Sequence, residues 1–162
     1  MVEIFPDLWI GTEFDYESKV KGQPNWDVVH ACKEPYHRRL LGYSSPGAPK
    51  NHPEYLIAIR ENRLFLNLVD APNPAFISKL IIDTALDFIH SGLEKKQKVL
   101  VHCNLGESRS PGIGILYLAK YTDLLPKAFP DAEIEYKKIY PYYNPAGGVH
   151  GFLITNWNFY IS

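Results

Sequence analysis

With 162 residues, 46% of them hydrophobic and 22% charged, the chain has the composition of an ordinary globular protein, long enough for one domain and thin for two. A formal net charge of −1 gives no electrostatic basis for nonspecific binding to nucleic acid or to an anionic membrane, and two cysteines, Cys32 and Cys103, make no disulfide framework. The longest apolar run, residues 112–119, is far short of a membrane span, and the opening residues lack the basic leader and apolar stretch of a signal peptide.

Residues 2–5 and 8–11 are short strand-like pieces broken at the turn signal Pro6-Asp7. Residues 26–32 form a β-rich run that reads as a buried strand with Cys32 at its end. Over residues 34–53 the periodicity vanishes, and 42–49 is a loop by composition. His37, Arg38, Arg39, Lys50 and His52 in this stretch could recruit a phosphorylated substrate, although a solvated face is the commoner meaning of such charges. Residues 56–60 and 63–68 flank Glu61-Asn62, a hairpin whose turn lacks the favoured glycine, and the second strand delivers Asp70 into a loop before a helix.

Residues 75–90 have helical periodicity, with Ile77, Leu80, Ile81, Leu86, Phe88 and Ile89 on one face, and Gly92 marks the expected end. Lys98 to Val101 reads as a buried strand, so residues 64–101 form a strand–helix–strand crossover, which implies parallel pairing and a right-handed connection. From Pro111 the chain is apolar nearly all round, as in a buried helix. Its two glycines each weaken it by about 1 kcal/mol relative to alanine, so close packing must compensate. Residues 131–140 and 151–160 read as further helices, separated by a breaker cluster at 141–148.

Between the strand and the apolar helix lies Cys103-x5-Arg109. A loop in this setting is an anion cradle: backbone N–H groups turn inward, the helix adds its positive end, and the Arg109 guanidinium offers a planar fork for two oxygens. Phosphate fits that description. A thiol in the same field is a candidate thiolate nucleophile, since cysteines at helix N-termini and beside arginines ionise below the ordinary value of about 8.5. Ser110 can donate a hydrogen bond to the sulfur and steady it as a leaving group, and His102 can orient the loop through its ring nitrogens. The loop follows the carboxyl end of a strand, where ligands of open α/β sheets bind.

His102-Cys103-x5-Arg109-Ser110 resembles the signature of the cysteine-dependent protein phosphatases, and its context resembles the dual-specificity branch of that superfamily. The opening hairpin and the closing Pro/Asn/Gly segment at 141–148 are similar too, so the resemblance covers nearly the whole chain and is weakest over 34–54. It implies one α/β domain over residues 1–162, a central mostly parallel sheet flanked by helices, with the Cys-x5-Arg loop between a strand and a buried helix. The implied activity is phosphomonoester hydrolysis, as a protein tyrosine or dual-specificity phosphatase working through a phosphocysteine intermediate. Cys103 would be the nucleophile and Arg109 the phosphate clamp. Asp70, which precedes Cys103 by a separation that resembles the family's spacing of acid and nucleophile, would be the general acid. Asn104, Leu105, Gly106, Glu107, Ser108 and Arg109 would hold the phosphate, with His102 and Ser110 in support.

The expected substrate is a phosphorylated protein; no cofactor, nucleic acid or membrane partner is expected, and the chain is read as a monomer. An enzyme that needs a free thiolate belongs in a reducing compartment, so the cytoplasm is the expected location. No metal is expected, because Asp, Glu and His residues are scattered without ligand spacing. Cys32 is either a partner for oxidised Cys103 or, the favoured reading, a small core residue. Glu107 occupies a loop position that is often apolar in the family, and is expected to point to solvent or to pair with a base such as Arg38 or Arg39. This acidic, lysine-free loop counts against highly phosphorylated inositides. An RNA 5′-triphosphatase, a rhodanese-like sulfurtransferase and a catalytically silent phospho-binding module are the alternatives.

Overall fold

The computed structural model describes residues 1–161. β1 (Val2–Phe5) and β2 (Leu8–Thr12) form the expected antiparallel hairpin, and its turn sets Asp7 at φ 65°, a left-handed conformation that a short polar residue tolerates. Helix α1 (Glu13–Asp15) then runs into a π-helical turn, Tyr16–Val20. A reciprocal cap starts it: the Asp15 amide donates to Thr12 Oγ1 at 3.1 Å, and the Thr12 amide donates to the Asp15 carboxylate at 2.9 Å.

β3 (Trp26–His30) is followed by a second π-helical turn, Lys33–His37, and by α2 (Arg38–Leu41). These helical pieces occupy part of the segment expected to be irregular; each is too short to show an apolar period. β4 (Ile57–Arg60) and β5 (Arg63–Leu66) make the second hairpin, whose turn works without glycine because Glu61 itself takes φ 54°.

After a 3-10 turn at Pro74–Phe76, α3 (Lys79–Glu94) begins behind Ser78, whose hydroxyl accepts from the Ile81 amide. Two expectations fail here. Leu80 is 58% exposed rather than on the buried face. Gly92 lies inside the helix rather than ending it: a Cβ there would stand 2.7 Å from Asp27 Oδ2 and 3.1 Å from Val99 Cγ2, so the glycine lets the helix lie close on the sheet.

β6 (Lys98–Cys103), α4 (Arg109–Tyr121), α5 (Phe129–Ile139) and α6 (Gly147–Tyr160) complete the chain. Pro111 falls in the first turn of α4, whose residues 110–119 are all buried, and Gly112 and Gly114 admit Val149 and Tyr136 at close range. Helix α6 starts four residues before the expected 151, inside the presumed breaker cluster.

The sheet order is β1-β2-β6-β3-β5-β4; β2, β6, β3 and β5 run parallel, and β1 and β4 are antiparallel edges. β5 and β6 are parallel, as the crossover implied, but β3 lies between them, so the two do not pair. One face of the sheet packs Val29, Leu64 and Val101 against α3, α4 and α6 through residues such as Leu86, Ile113 and Leu153. The other face packs Val28, Phe65, Leu100 and Cys103 under Tyr16, Val20 and Tyr36 of the two π-helical turns. β6 is covered on both faces, which explains its unbroken apolar run.

Candidate active site

Cys103 is the last residue of β6 and Arg109 the first of α4, so the five residues between them cross the carboxyl edge of the sheet. β6 is held in register by both neighbours, Thr12 beside Cys103 and His30 beside His102. Gly106 turns the loop at φ 70°, where a Cβ would come within 3.0 Å of both the Gly11 carbonyl oxygen and the Tyr140 hydroxyl. The Tyr140 hydroxyl donates to the Gly106 carbonyl at 2.6 Å, the Asn144 amide donates to the Glu107 carbonyl at 2.8 Å, and the Ala146 amide donates to Ser108 Oγ at 2.9 Å. The loop is thus gripped from outside by the chain between α5 and α6.

Cys103 is buried, with its Sγ 3.2 Å from Ser110 Oγ, which also lies 3.2 Å from the Gly11 carbonyl oxygen. A carbonyl only accepts. Facing a thiol, Ser110 can donate to Gly11 and accept from sulfur; facing a thiolate, it can turn its proton to the sulfur. Arg109 is fixed at both ends of its fork: Nη1 donates to the Leu68 carbonyl at 3.0 Å and Nη2 to Asn104 Oδ1 at 2.6 Å. Asn104 is itself anchored, its Nδ2 donating to Glu13 Oε2 at 3.0 Å and to the Glu34 carbonyl at 2.9 Å. The Arg109 Nε–H is buried and has no hydrogen-bond partner among the described residues. An orphaned cationic donor beside a thiol and a helix N-terminus suits an anionic oxygen.

Asp70 is exposed at the end of the segment after β5, and its Oδ1 accepts a 2.9 Å hydrogen bond from Ser108 Oγ. Asp70, Cys103, Asn104, Leu105, Glu107, Ser108 and Arg109 line one cavity of about 440 Å³, closed on the far side by residues 144–146. Gly106 is buried behind it, and Glu107 is exposed, while Arg38 is engaged by Glu34 at 2.7 Å. His102 and Ser110 sit beneath the loop, both fully buried. Burial holds the His102 imidazole down to about 4, against the hydrogen bond that its Nδ1 makes to the Cys103 carbonyl at 3.1 Å. Cys32 is buried in the same apolar cluster as Cys103, and burial pushes its thiol up to about 12, which fits the core-residue reading.

The structure adds groups that sequence reasoning passed over: Tyr140 and residues 144–146 around the loop, Glu13 behind Asn104, and His30 beneath His102. Their one sequence signal is the Pro/Asn/Gly cluster, which reads as a breaker and resembles the family's closing segment but does not by itself assign its residues to the site. Among the described residues no group of three or more His, Cys, Asp or Glu side chains is arranged to hold a metal ion, and no helix is long and apolar enough to cross a membrane.

No protein-family model matches the chain. A human protein, dual specificity protein phosphatase 26, is 39% identical over 123 residues, 75% of this chain and 52% of that protein. A mouse protein of the same name is 28% identical over 120 residues, 74% and 51% respectively. The chain therefore spans about half the length of the curated relatives it matches. Among solved structures, the human tyrosine phosphatase-like serine/threonine/tyrosine-interacting protein superposes with a TM-score of 0.63 at 21% identity, over 98% of this chain and 95% of that one. Human DUSP28 gives a TM-score of 0.63 at 15% identity, over 97% and 92%. Sequence likeness and fold likeness agree: the chain is similar in sequence to dual specificity protein phosphatase 26 and has the fold of the solved phosphatase structures it superposes on, human DUSP28 among them.

Proposed function

We propose that the chain is a phosphomonoester hydrolase acting on phosphorylated protein side chains through a phosphocysteine intermediate. The observation that carries this reading is the cavity at the carboxyl edge of the sheet that Arg109 and the Cys-x5-Arg loop share with Cys103 and Asp70. Cys103 Sγ attacks phosphorus in line with the leaving oxygen, while Arg109, the loop amides and the start of α4 hold the equatorial oxygens. As the P–O bond breaks, Asp70 gives its proton to the leaving oxygen. A water then attacks the phosphocysteine, Asp70 takes up its proton, and the S–P bond breaks to return the thiolate, which Ser110 steadies by turning its hydroxyl proton to sulfur.

Two free cysteines agree with a reducing cytoplasm, and the single six-stranded sheet agrees with one catalytic domain, which we read as a monomer. The test is hydrolysis of an aryl phosphate by the wild type and by Cys103→Ser. Turnover should be lost in the variant while phosphate binding survives; hydrolysis retained in a clean Cys103→Ser preparation overturns the reading, and a wild type that binds without turnover is a phospho-binding module. A panel of phosphopeptides, phosphoinositides and triphosphorylated RNA then separates substrate classes.

A further inference from the structure

The face of the sheet away from the large core carries a polar chain that the mechanism above does not use. β3 and β6 pair so that His30 stands beside His102, and Arg63, at the start of β5, reaches the same face. Arg63 Nε lies 3.0 Å from His30 Nε2, His30 Nδ1 lies 2.6 Å from His102 Nε2, and His102 Nδ1 lies 3.1 Å from the Cys103 carbonyl oxygen. Both histidines are fully buried.

We propose that Arg63 and His30 are positioning residues of the site, which lock His102 in the tautomer that donates from Nδ1 to the Cys103 carbonyl and so fix the peptide from which the phosphate loop departs. This rests on the reading of Cys103 as the nucleophile. The proton inventory has one solution for neutral rings. An arginine Nε always carries hydrogen, so His30 Nε2 must be bare and its proton sits on Nδ1. His102 Nε2 must then accept, which leaves its proton on Nδ1, facing a carbonyl that can only accept. Every donor meets an acceptor, and the arrangement is set from its Arg63 end.

The rings are held flat in place. Tyr16 stacks on His102 at 5.2 Å between centroids and 1° between planes, Tyr36 stacks on His30 at 4.4 Å and 13°, and the two imidazoles meet edge to face at 4.8 Å and 86°. The Arg63 guanidinium lies 4.8 Å over Phe65 and 5.5 Å over Tyr16. Burial, with the Arg63 charge as a lesser cause, holds both imidazoles far toward the neutral form. If the Arg63 donor is removed, His30 is free to carry its proton on Nε2. His102 must then carry its own on Nε2 to fill the 2.6 Å contact, and its bare Nδ1 opposes the Cys103 oxygen, lone pair against lone pair. The two rings stay neutral; only their protons change nitrogen. The cost falls on the peptide that aims Sγ.

The experiment is ¹⁵N NMR of the imidazole rings, with steady-state kinetics on an aryl phosphate, for wild type, Arg63→Met and Arg63→Lys. Expected are a wild-type His102 protonated at Nδ1 and bare at Nε2, an Arg63→Met protein in which the opposite tautomer becomes populated and kcat falls about tenfold or more, and recovery of both readouts in Arg63→Lys, which restores a cationic donor. Each variant is checked for a native fold by its thermal transition. A wild-type His102 protonated at Nε2 overturns the proposal without recourse to any variant, as does an Arg63→Met protein with wild-type tautomer and turnover. Wild-type protein that hydrolyses nothing sinks the phosphatase reading instead, while the ring spectra still decide the relay.

Discussion

Ser108 Oγ–H donates a hydrogen bond to Asp70 across 2.9 Å, so the Cys-x5-Arg loop and the proposed proton donor, 38 residues apart in the chain, are one hydrogen-bonded unit. The same hydroxyl oxygen accepts from the Ala146 amide, which ties in the segment leading to α6. Asp70 therefore does not overhang the cavity on a loose loop; its carboxylate is aimed by a residue of the loop it serves.

A general acid matters in proportion to how badly the leaving group needs a proton. Asp70→Asn should slow phenyl phosphate by roughly 10²–10⁴-fold and an activated nitrophenyl ester much less. Ser108→Ala, which leaves the carboxyl but removes its anchor, should show the same substrate pattern at smaller size. Equal slowing of both esters by Asp70→Asn would assign the proton to another group, with Glu107, the other carboxylate that lines the cavity, the next to test.

Arg109→Lys keeps the charge but loses the fork that spans Leu68 and Asn104. In the proposed mechanism the guanidinium acts on charge that develops in the transition state, so the variant should lose about 10²-fold or more in kcat. Steady-state rates near wild type would mean that a point charge suffices.

Gly148 in the first turn of α6 has no room for a side chain: a Cβ would run into the backbone carbonyl of Ala71, the neighbour of Asp70. Gly148→Ala must push the Asp70 loop outward. The expected result is a loss of about 1–3 kcal/mol in urea unfolding, with a larger fall in turnover of phenyl phosphate than of the nitrophenyl ester. Gly47→Ala, where a Cβ meets nothing within 4 Å, is the control and should be near neutral. Wild-type stability and substrate pattern in Gly148→Ala would show that the contact relaxes freely.

Burial lowers the His102 imidazole from 6.5 to about 4 in the folded protein, and lowers His30 further. The unfolded chain then binds more protons than the native state between those values. The stabilising effect of keeping these rings neutral is complete above pH 6.5 and is lost as the pH falls toward 4, with a slope of up to about 1.4 kcal/mol per pH unit for each ring. Urea midpoints measured from pH 7 to pH 5 should fall accordingly; a flat series would mean that the rings take up protons without opposition.

The strand–loop–helix core of the site was legible because its signals are local: an unbroken apolar run, Cys103, Arg109 at fixed distance, and Pro111 in a first turn. Both hairpins were legible for the same reason. What escaped depends on partners distant in sequence. Gly92 reads as a helix stop, yet its lack of a side chain answers Asp27 and Val99 on the sheet. Gly147 and Gly148 read as breakers, whereas they open α6 against the Asp70 loop. Nothing in residues 64–101 discloses that β3 will enter between β5 and β6. His30 and His102 could be placed on strands, but their meeting follows from inter-strand register, which periodicity does not encode. The helical turns over 13–20 and 33–41 are too short to repeat an apolar pattern.

The register of β6 also bears on how the site comes into being. Thr12 of β2 pairs with Cys103, and His30 of β3 pairs with His102, so the strand that carries Cys103 is completed only by closing loops of roughly 70 to 90 residues. Parallel pairings of such separation are made late and slowly. During refolding the helices α3 and α4 can gain their local hydrogen bonds early, but the Cys103–Arg109 loop, bounded by β2, β3 and the 140–146 segment, has no partial form. Catalytic competence should return with the slowest cooperative step, well after most of the helical signal, and a nascent chain should stay inert until nearly all of it has emerged.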